Sequence, residues 1–192
     1  YLSLDKKVQL IGYNILKEYV KKDKAESASL ILIKNKTGEI ISMVNYPSFN
    51  PENRTEMHGV NIKNRAVTES FEPGSTIKPF TIYTALKDKV FNKKSIIDTS
   101  PGILKIGKYE IKDHEYLGKL TLAEIIQRSS NVGAALVALE TSKRSMHDTL
   151  QELNFGETLY MGLPGEQSGK LDHHSSWDET QHASIGYGYG LS

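Results

Sequence analysis

A serine and a lysine three residues apart are the side chains of this chain best suited to chemistry. Ser75 and Lys78 stand in the stretch Glu72–Phe80, Glu-Pro-Gly-Ser-Thr-Ile-Lys-Pro-Phe. Because proline fits only in the first turn of a helix, Pro79 predicts a helix that begins near Ser75. Residues three apart share a helix face. The spacing therefore predicts a hydroxyl beside an amine at the positive end of a helix dipole.

This pairing would suit nucleophilic catalysis. A serine needs a base to become a nucleophile, and a lysine can be that base when its pKa is lowered. From the usual lysine value of about 10.4, the pKa of Lys78 has to fall by roughly 3 units, or about 4 kcal/mol, through burial or a nearby cation. The backbone N–H of Ser75 would suit one side of an oxyanion hole. The alternative is that Ser75 only caps the helix.

The short patterns are not specific alone, since each occurs twice. Ser3–Lys6 is also Ser-x-x-Lys, but it stands at the start of an amphipathic helix. Ser-x-Asn occurs at Ser48–Asn50, in a proline-rich loop, and at Ser129–Asn131, in a break between two helices. A break of this kind can aim side chains into a cleft. Ser129–Asn131 is therefore the candidate partner of Ser75.

The periodicity of the rest predicts a mixture of helices and strands. Apolar residues predict a first helix over 3–22, and a β-hairpin with strands 28–34 and 39–45 around a turn. Both strands are apolar on both faces, so we expect other elements to cover them. Further predictions are a small hairpin over 103–106 and 109–111, and helices over 121–128, 132–140 and 146–153, the first with a capping box. This order is an α/β mixture and not a βαβ series.

Composition excludes several functional classes. A net charge of +1 over 192 residues favours neither nucleic acid nor an anionic membrane. The absence of cysteine excludes disulfides and thiolate catalysis. No apolar run approaches 18 residues, so no membrane-spanning helix is predicted. The length suggests one domain or a large part of one.

Taken together, the motifs resemble the transpeptidase domain of penicillin-binding proteins. Within that family the chain is most similar to the class B division type, the FtsI type. The matching segments occur in the family's order and cover nearly the whole chain: Asn64–Val67, Phe71–Pro79, Glu110–Asp113, Leu120–Leu122, Ser129–Gly133, Gly165–Gly169 and Tyr187–Leu191.

The resemblance implies roles for individual residues. Ser75 would be the nucleophile that forms the acyl-enzyme, and Lys78 would take its proton. Ser129 would relay a proton toward the leaving group, and Asn131 would hydrogen-bond the substrate backbone. Tyr189 would line the cleft, although a glycine-rich connection with packed tyrosines explains the same run. The family uses no cofactor and no metal.

The resemblance also implies a fold and a missing part. The fold would be α/β (α+β), like that of penicillin-binding proteins and serine β-lactamases, with a central antiparallel sheet flanked by helices. Residues 1–192 would be the N-terminal portion of a single transpeptidase domain. The family's third motif, Lys-(Ser/Thr)-Gly, and the last strands are expected beyond Ser192, because Lys36–Gly38 precedes Ser75 and is typical of a hairpin turn.

The implied activity is that of a peptidoglycan D,D-transpeptidase that acts on D-Ala-D-Ala stem peptides and cross-links septal cell wall. β-Lactams and cell-division proteins would be its other partners. The full-length protein would be anchored in the inner membrane, with this domain in the periplasm. Two alternatives stay open: a serine β-lactamase or D,D-carboxypeptidase of the same fold, and a non-catalytic division scaffold.

A few further residues invite interpretation. Asp113 and His114 are candidates for a loop that faces the cleft. The histidines His173, His174 and His182 match no standard metal-ligand spacing. The single tryptophan, Trp177, is more simply explained by packing than by a binding platform.

Overall fold

The computed structural model describes residues 2–57 and 59–192, with the side chain of Val60 left out. The chain folds into two compact units. Unit 1 comprises residues 1–69 and 160–167, and unit 2 comprises residues 70–159 and 168–192. The predicted assignment of residues 1–192 to a single domain stays a prediction.

Unit 1 is built from one long helix and one antiparallel hairpin. Its elements are α1 (Lys6–Asp23), β1 (Ala28–Ile33), β2 (Ile40–Tyr46), α2 (Arg65–Thr68) and 3₁₀ turns at Arg54–Glu56 and Gly59–Ile62. The first helix begins three residues later than predicted, because the Asp5 side chain accepts hydrogen bonds from the N–H groups of Lys7 and Val8. The other Ser-x-x-Lys pattern, Ser3–Lys6, therefore spans the N-terminal cap of α1.

The predicted hairpin of unit 1 is confirmed. Ala28 pairs with Tyr46, and the register holds to a bulge between Leu32 and Ile33. The expectation that other elements cover both strands holds only in part. Within the described residues, Ile31 and Ile33 of β1 remain about half exposed, because α1 packs mainly against β2 and covers β1 less.

Unit 2 carries the remaining elements. They are a 3₁₀ turn at Gly74–Ile77, α3 (Lys78–Lys87), β3 (Ile96–Asp98), β4 (Ile103–Ile106), β5 (Tyr109–Lys112), β6 (Lys119–Thr121), α4 (Leu122–Gln127), α5 (Asn131–Glu140), α6 (Lys143–Glu152), a 3₁₀ turn at His174–Ser176 and α7 (Glu179–Ile185). β4 pairs with β5 as predicted, and β3 pairs with β6, both antiparallel. The capping box at Thr121 and Glu124 is present. The predicted α/β class with antiparallel strands is thus confirmed.

No helix in the described part of the chain is both long and apolar enough to cross a bilayer.

Helix α5 is the buried centre of unit 2. Its residues Ala134, Ala135 and Val137 have no exposed surface, and it packs against α3, α4 and α7. At its start Gly133 lies so close to Ile125 that a Cβ would be 2.8 Å from the Ile125 side chain. Packing therefore fixes the first turn of α5, directly after Ser129 and Ser130.

One buried histidine of unit 2 is expected to make the free energy of unfolding depend on pH. His182 is 3% exposed, and burial, with a smaller contribution from Lys143, lowers its pKa from 6.5 to about 4. The unfolded chain binds this proton below pH 6.5, whereas the folded chain does so only below about pH 4. We expect the free energy of unfolding to fall by about 3 kcal/mol between pH 7 and pH 4 from this residue.

Urea titrations at pH 7 and pH 4.5 check this prediction. The variant His182→Gln should lose most of the difference between the two pH values, whereas His114→Gln, at an exposed histidine, should keep it. An unchanged pH dependence in His182→Gln would show that other groups account for the acid sensitivity.

Candidate active site

The stretch around Ser75 folds as a tight turn that runs straight into a helix. Residues 74–77 form a 3₁₀ turn, and α3 begins at Lys78 with Pro79 in its first turn. The predicted helix start is confirmed, but the turn that carries Ser75 is 3₁₀ and not α. Ile77 is 1% exposed, so it anchors this turn to the core.

Lys78 is buried with three oxygen atoms around its amine. The side chain is 1% exposed. Its Nζ lies 2.6 Å from the backbone oxygen of Ser129, 3.0 Å from Ser129 Oγ and 2.8 Å from Asn131 Oδ1. An ammonium has three donors, so these acceptors satisfy it completely. The structure thus brings together Lys78 and the Ser-Ser-Asn motif, which are more than 50 residues apart in sequence.

Ser129 links the lysine to the candidate nucleophile. Its Oγ donates to Ser75 Oγ at 3.0 Å and accepts from Lys78 Nζ at 3.0 Å. Among the side chains that the structure describes, those of Ser75 and Lys78 share no direct hydrogen bond. The connection between the hydroxyl and the amine therefore passes through Ser129.

The pKa of Lys78 shifts in the direction that a base requires. Burial lowers it from 10.5 to about 8, and the negative charge of Asp113 opposes this with a smaller effect. Burial disfavours the charged amine, and Asp113 favours it. At pH 7 about one tenth of the molecules carry a neutral Lys78. This pKa lies close to the value that a lysine needs in order to act as a base near neutral pH.

The neutral amine could accept a proton through Ser129. A neutral lysine keeps two donors, enough for the backbone oxygen of Ser129 and for Asn131 Oδ1, and it gains a lone pair. That lone pair would face the Ser129 hydroxyl, which could then turn its own lone pair toward Ser75. The arrangement can thus activate the Ser75 hydroxyl as a nucleophile.

Asn131 is held from two sides. Its Oδ1 accepts from Lys78, and its Nδ2 donates to the backbone oxygen of Lys112 at 3.2 Å. The amide has a second N–H, so its predicted role in binding a substrate backbone is compatible with these contacts. That role stays a prediction.

Tyr189 lies on a segment that is bonded to the turn of Ser75. The N–H of Gly74 donates to the Gly188 oxygen at 3.0 Å, and the N–H of Gly190 donates to Glu72 Oε1 at 2.7 Å. Tyr189 stands between these two bonds and is 49% exposed. The structure therefore brings its backbone to the Ser75 turn, while its role in lining a cleft stays a prediction.

Two acidic residues make contacts that the sequence alone does not predict. Glu72 ties the Gly-Tyr-Gly segment to the turn of Ser75. Asp113, noted only as a candidate cleft residue, accepts hydrogen bonds from the start of α5. Neither contact leaves a periodic signal in the sequence, because each joins residues far apart in the chain.

The histidines and the tryptophan lie in other contacts of unit 2. The ring centroids of His173 and His174 are 4.2 Å apart, and both rings pack edge-on against the ring of His147. Trp177 is 2% exposed and belongs to an apolar cluster, so it packs in the core. Among the described residues, no three His, Cys, Asp or Glu side chains are grouped as metal ligands.

Comparison with known proteins gives consistent matches. Residues 28–192 match the family model of the penicillin binding protein transpeptidase domain. The chain is 40% identical to the peptidoglycan D,D-transpeptidase FtsI of Buchnera aphidicola (subsp. Schizaphis graminum), over 99% of this chain and 33% of the relative. It is 38% identical to FtsI of Escherichia coli K12, over 99% of this chain and 32% of the relative. The chain thus spans about a third of the length of these relatives.

A solved structure is similar over the whole chain. The transpeptidase domain of Burkholderia pseudomallei penicillin-binding protein 3 superposes with a TM-score of 0.87 at 34% identity, over 99% of this chain and 53% of that one. The family match covers well over half of the residues, and the FtsI relatives support the predicted class B type. This chain belongs to the penicillin-binding protein transpeptidase domain family.

Proposed function

We propose that this chain is part of a serine D,D-transpeptidase that cross-links peptidoglycan, with Ser75 as the nucleophile. The observation that carries the proposal is the chain of contacts from Ser75 Oγ through Ser129 Oγ to Lys78 Nζ, each step 3.0 Å long. The names of the relatives, peptidoglycan D,D-transpeptidases, support the substrate class.

In the first half-reaction Ser75 Oγ attacks the carbonyl carbon of the penultimate D-Ala of a stem peptide. The Ser75 proton passes to Ser129, and Ser129 passes its own proton to the neutral Lys78. When the peptide bond breaks, Ser129 gives a proton to the leaving D-Ala amine and takes one from the protonated Lys78. The products are an ester on Ser75 and free D-Ala, and Lys78 is neutral again.

In the second half-reaction an amine of a neighbouring strand attacks the ester. The amine loses a proton toward Lys78, the new amide bond forms, and Ser75 recovers its proton. Asn131 would bind the backbone of the stem peptide through its second N–H, and Tyr189 would form part of the cleft wall. β-Lactams would acylate Ser75 because they mimic the D-Ala-D-Ala dipeptide.

The same proposal extends to the rest of the full-length protein. Residues 1–192 would be the N-terminal portion of one transpeptidase domain, and a Lys-(Ser/Thr)-Gly motif in the following part of the protein would bind the substrate carboxylate. The full-length protein would be anchored in the inner membrane, act in the periplasm and meet cell-division proteins. The share of the relatives that this chain spans supports a longer protein.

The lifetime of the penicilloyl ester tests the proposal against the hydrolytic alternatives. The full-length protein is acylated with a fluorescent penicillin, and loss of the label is followed in the gel. A transpeptidase should hold the label far longer than one catalytic turnover, and with stem peptide plus an amine acceptor it should form the cross-linked amide. Rapid label loss would indicate a β-lactamase, and no labelling at all would favour a non-catalytic scaffold.

The pKa of Lys78 predicts the pH profile of acylation. Only the neutral amine can accept the Ser75 proton, so the second-order rate constant for a penicillin should rise about tenfold per pH unit and level off near pH 8. Stopped-flow measurements between pH 6 and pH 9 on the full-length protein check this. A flat profile, or a rise that continues toward pH 10.5, would contradict a lysine base with a lowered pKa.

A further inference from the structure

We propose that Asp113 is a positioning residue of this site: its carboxylate holds the Ser129–Asn131 motif against Lys78 and Ser75. The inference rests on the proposed function, because it concerns the same acylation step. Asp113 directly follows β5, and its backbone N–H donates to the oxygen of Gly102 at 3.1 Å. The carboxylate therefore projects from an anchored strand end.

Both oxygens of Asp113 bind the motif. Oδ1 accepts from the N–H of Asn131 at 2.6 Å and from the N–H of Val132 at 3.0 Å. Oδ2 accepts from the Ser130 hydroxyl at 2.8 Å. One side chain thus satisfies three donors at the start of α5, where backbone N–H groups lack partners inside the helix.

The Ser130 hydroxyl connects the Asp113 carboxylate to the first turn of α5. Ser130 is 1% exposed, and its Oγ accepts from the N–H of Gly133 at 2.8 Å while it donates to Asp113. The carboxylate therefore fixes the direction of the hydroxyl as well as the backbone. Ser130 cannot rotate without the loss of one of these two bonds.

Ser129 needs such support because its backbone is strained. Its φ of +54° lies in the left-handed region, which costs a residue with a side chain roughly 1–2 kcal/mol. This conformation lets Ser129 present both its backbone oxygen and its Oγ to Lys78. With Ser130 and Asn131 held on one side, Ser129 has little freedom to relax away from the amine.

The carboxylate also acts on Lys78 by its charge. It favours the ammonium, and within the described part of the chain it is the charged group that raises the pKa of Lys78 against the effect of burial. A neutral residue at position 113 should therefore lower that pKa below its present value of about 8. A residue that only stabilises the fold would leave the pKa unchanged in the molecules that remain folded.

An ordinary capping role is the alternative, and Asp178 offers the matched control. Asp178 caps α7 by accepting from the N–H of Gln181 at 2.7 Å. Asparagine caps helices as well as aspartate does, so Asp178→Asn should leave the acylation rate and its pH midpoint unchanged. If Asp113 were only a cap, Asp113→Asn would behave in the same way.

The experiment compares acylation of full-length wild type, Asp113→Asn, Asp113→Glu and Asp178→Asn by a fluorescent penicillin from pH 6 to pH 9. For Asp113→Asn we expect the plateau rate to fall about 10- to 100-fold and the midpoint to move to lower pH than in wild type. Asp113→Glu keeps the charge but moves it by one methylene, so the plateau should fall while the midpoint stays near that of wild type.

The outcomes separate the two proposals. If wild type is not acylated, the proposed function is wrong. If wild type is acylated and Asp113→Asn keeps both its rate and its midpoint, only the positioning role is wrong. A lower rate with an unchanged midpoint in Asp113→Asn, or failure of both Asp113 variants to fold, as judged by thermal melting, would make Asp113 a structural residue and overturn the inference.

Discussion

Replacement of Lys78 by methionine is expected to slow acylation by a penicillin about 10²- to 10⁴-fold, the usual loss when a general base is removed. Methionine has a similar length and no polar hydrogen, so it can fill the buried space of the lysine side chain. It cannot accept the proton that Ser129 passes on. The rate constant is measured in the full-length protein by the loss of a chromogenic β-lactam signal.

A second lysine of the same helix provides the control. Lys87 ends α3, and it forms an exposed ion pair with Glu152 at 3.6 Å. Exposed pairs of this kind contribute little to stability, so Lys87→Met should acylate at the wild-type rate. The melting temperature of Lys78→Met should stay near that of wild type, because burial of the charged amine is itself costly. Acylation of Lys78→Met at the wild-type rate would show that the proposed base is wrong, whereas Ser75 could still be the nucleophile.

Replacement of Gly188 by alanine is expected to disable the site through the backbone. A Cβ at Gly188 would overlap the carbonyl oxygen and carbon of Gly74, and the φ of Gly188 is +96°. Neither backbone can yield easily, because the N–H of Gly74 is bonded to the Gly188 oxygen. We expect a loss of several kcal/mol in stability and at least a 10²-fold slower acylation, because the turn of Ser75 must move.

The variant Gly190→Ala separates the effect of backbone strain from the effect of steric contact. Its φ is +82°, but a Cβ there meets no atom within 4 Å. Gly190→Ala should therefore cost only the backbone strain, roughly 1–2 kcal/mol, and should keep most of the acylation rate. Thermal melts and acylation rates of the two variants check the prediction. If Gly188→Ala behaves like Gly190→Ala, contact with the Ser75 turn does not explain the role of this glycine.

The sequence predicted the local part of the site well. Ser75 and Lys78 lie at a helix start because proline and glycine placement specify it, and the lysine pKa is lowered as base chemistry requires. The hairpin at 28–46 and the capping box at Thr121 were likewise predicted from neighbouring residues. Such features depend on a few adjacent side chains, and sequence patterns report these directly.

The long-range part of the site could not be predicted from those patterns. Nothing near Ser129 in the sequence indicates its positive φ, or that its hydroxyl would stand between Ser75 and Lys78. The hydrogen bond from Gly190 to Glu72 joins residues 118 positions apart. These contacts follow from how α5 packs against α3 and α7, and a single sequence carries no record of that packing.

The most direct measurement is the position of the penicilloyl group. The full-length protein is acylated with a penicillin and digested with trypsin. The digest places Ser75 in the peptide Ala66–Lys87 and Ser129 in a separate peptide, Ser129–Lys143. The masses of the peptides and of their fragments locate the adduct. The mass of the penicillin should appear on Ser75 in wild type and be absent in Ser75→Ala. An adduct on Ser129–Lys143, or labelling that persists in Ser75→Ala, would contradict the assignment of Ser75 as the nucleophile.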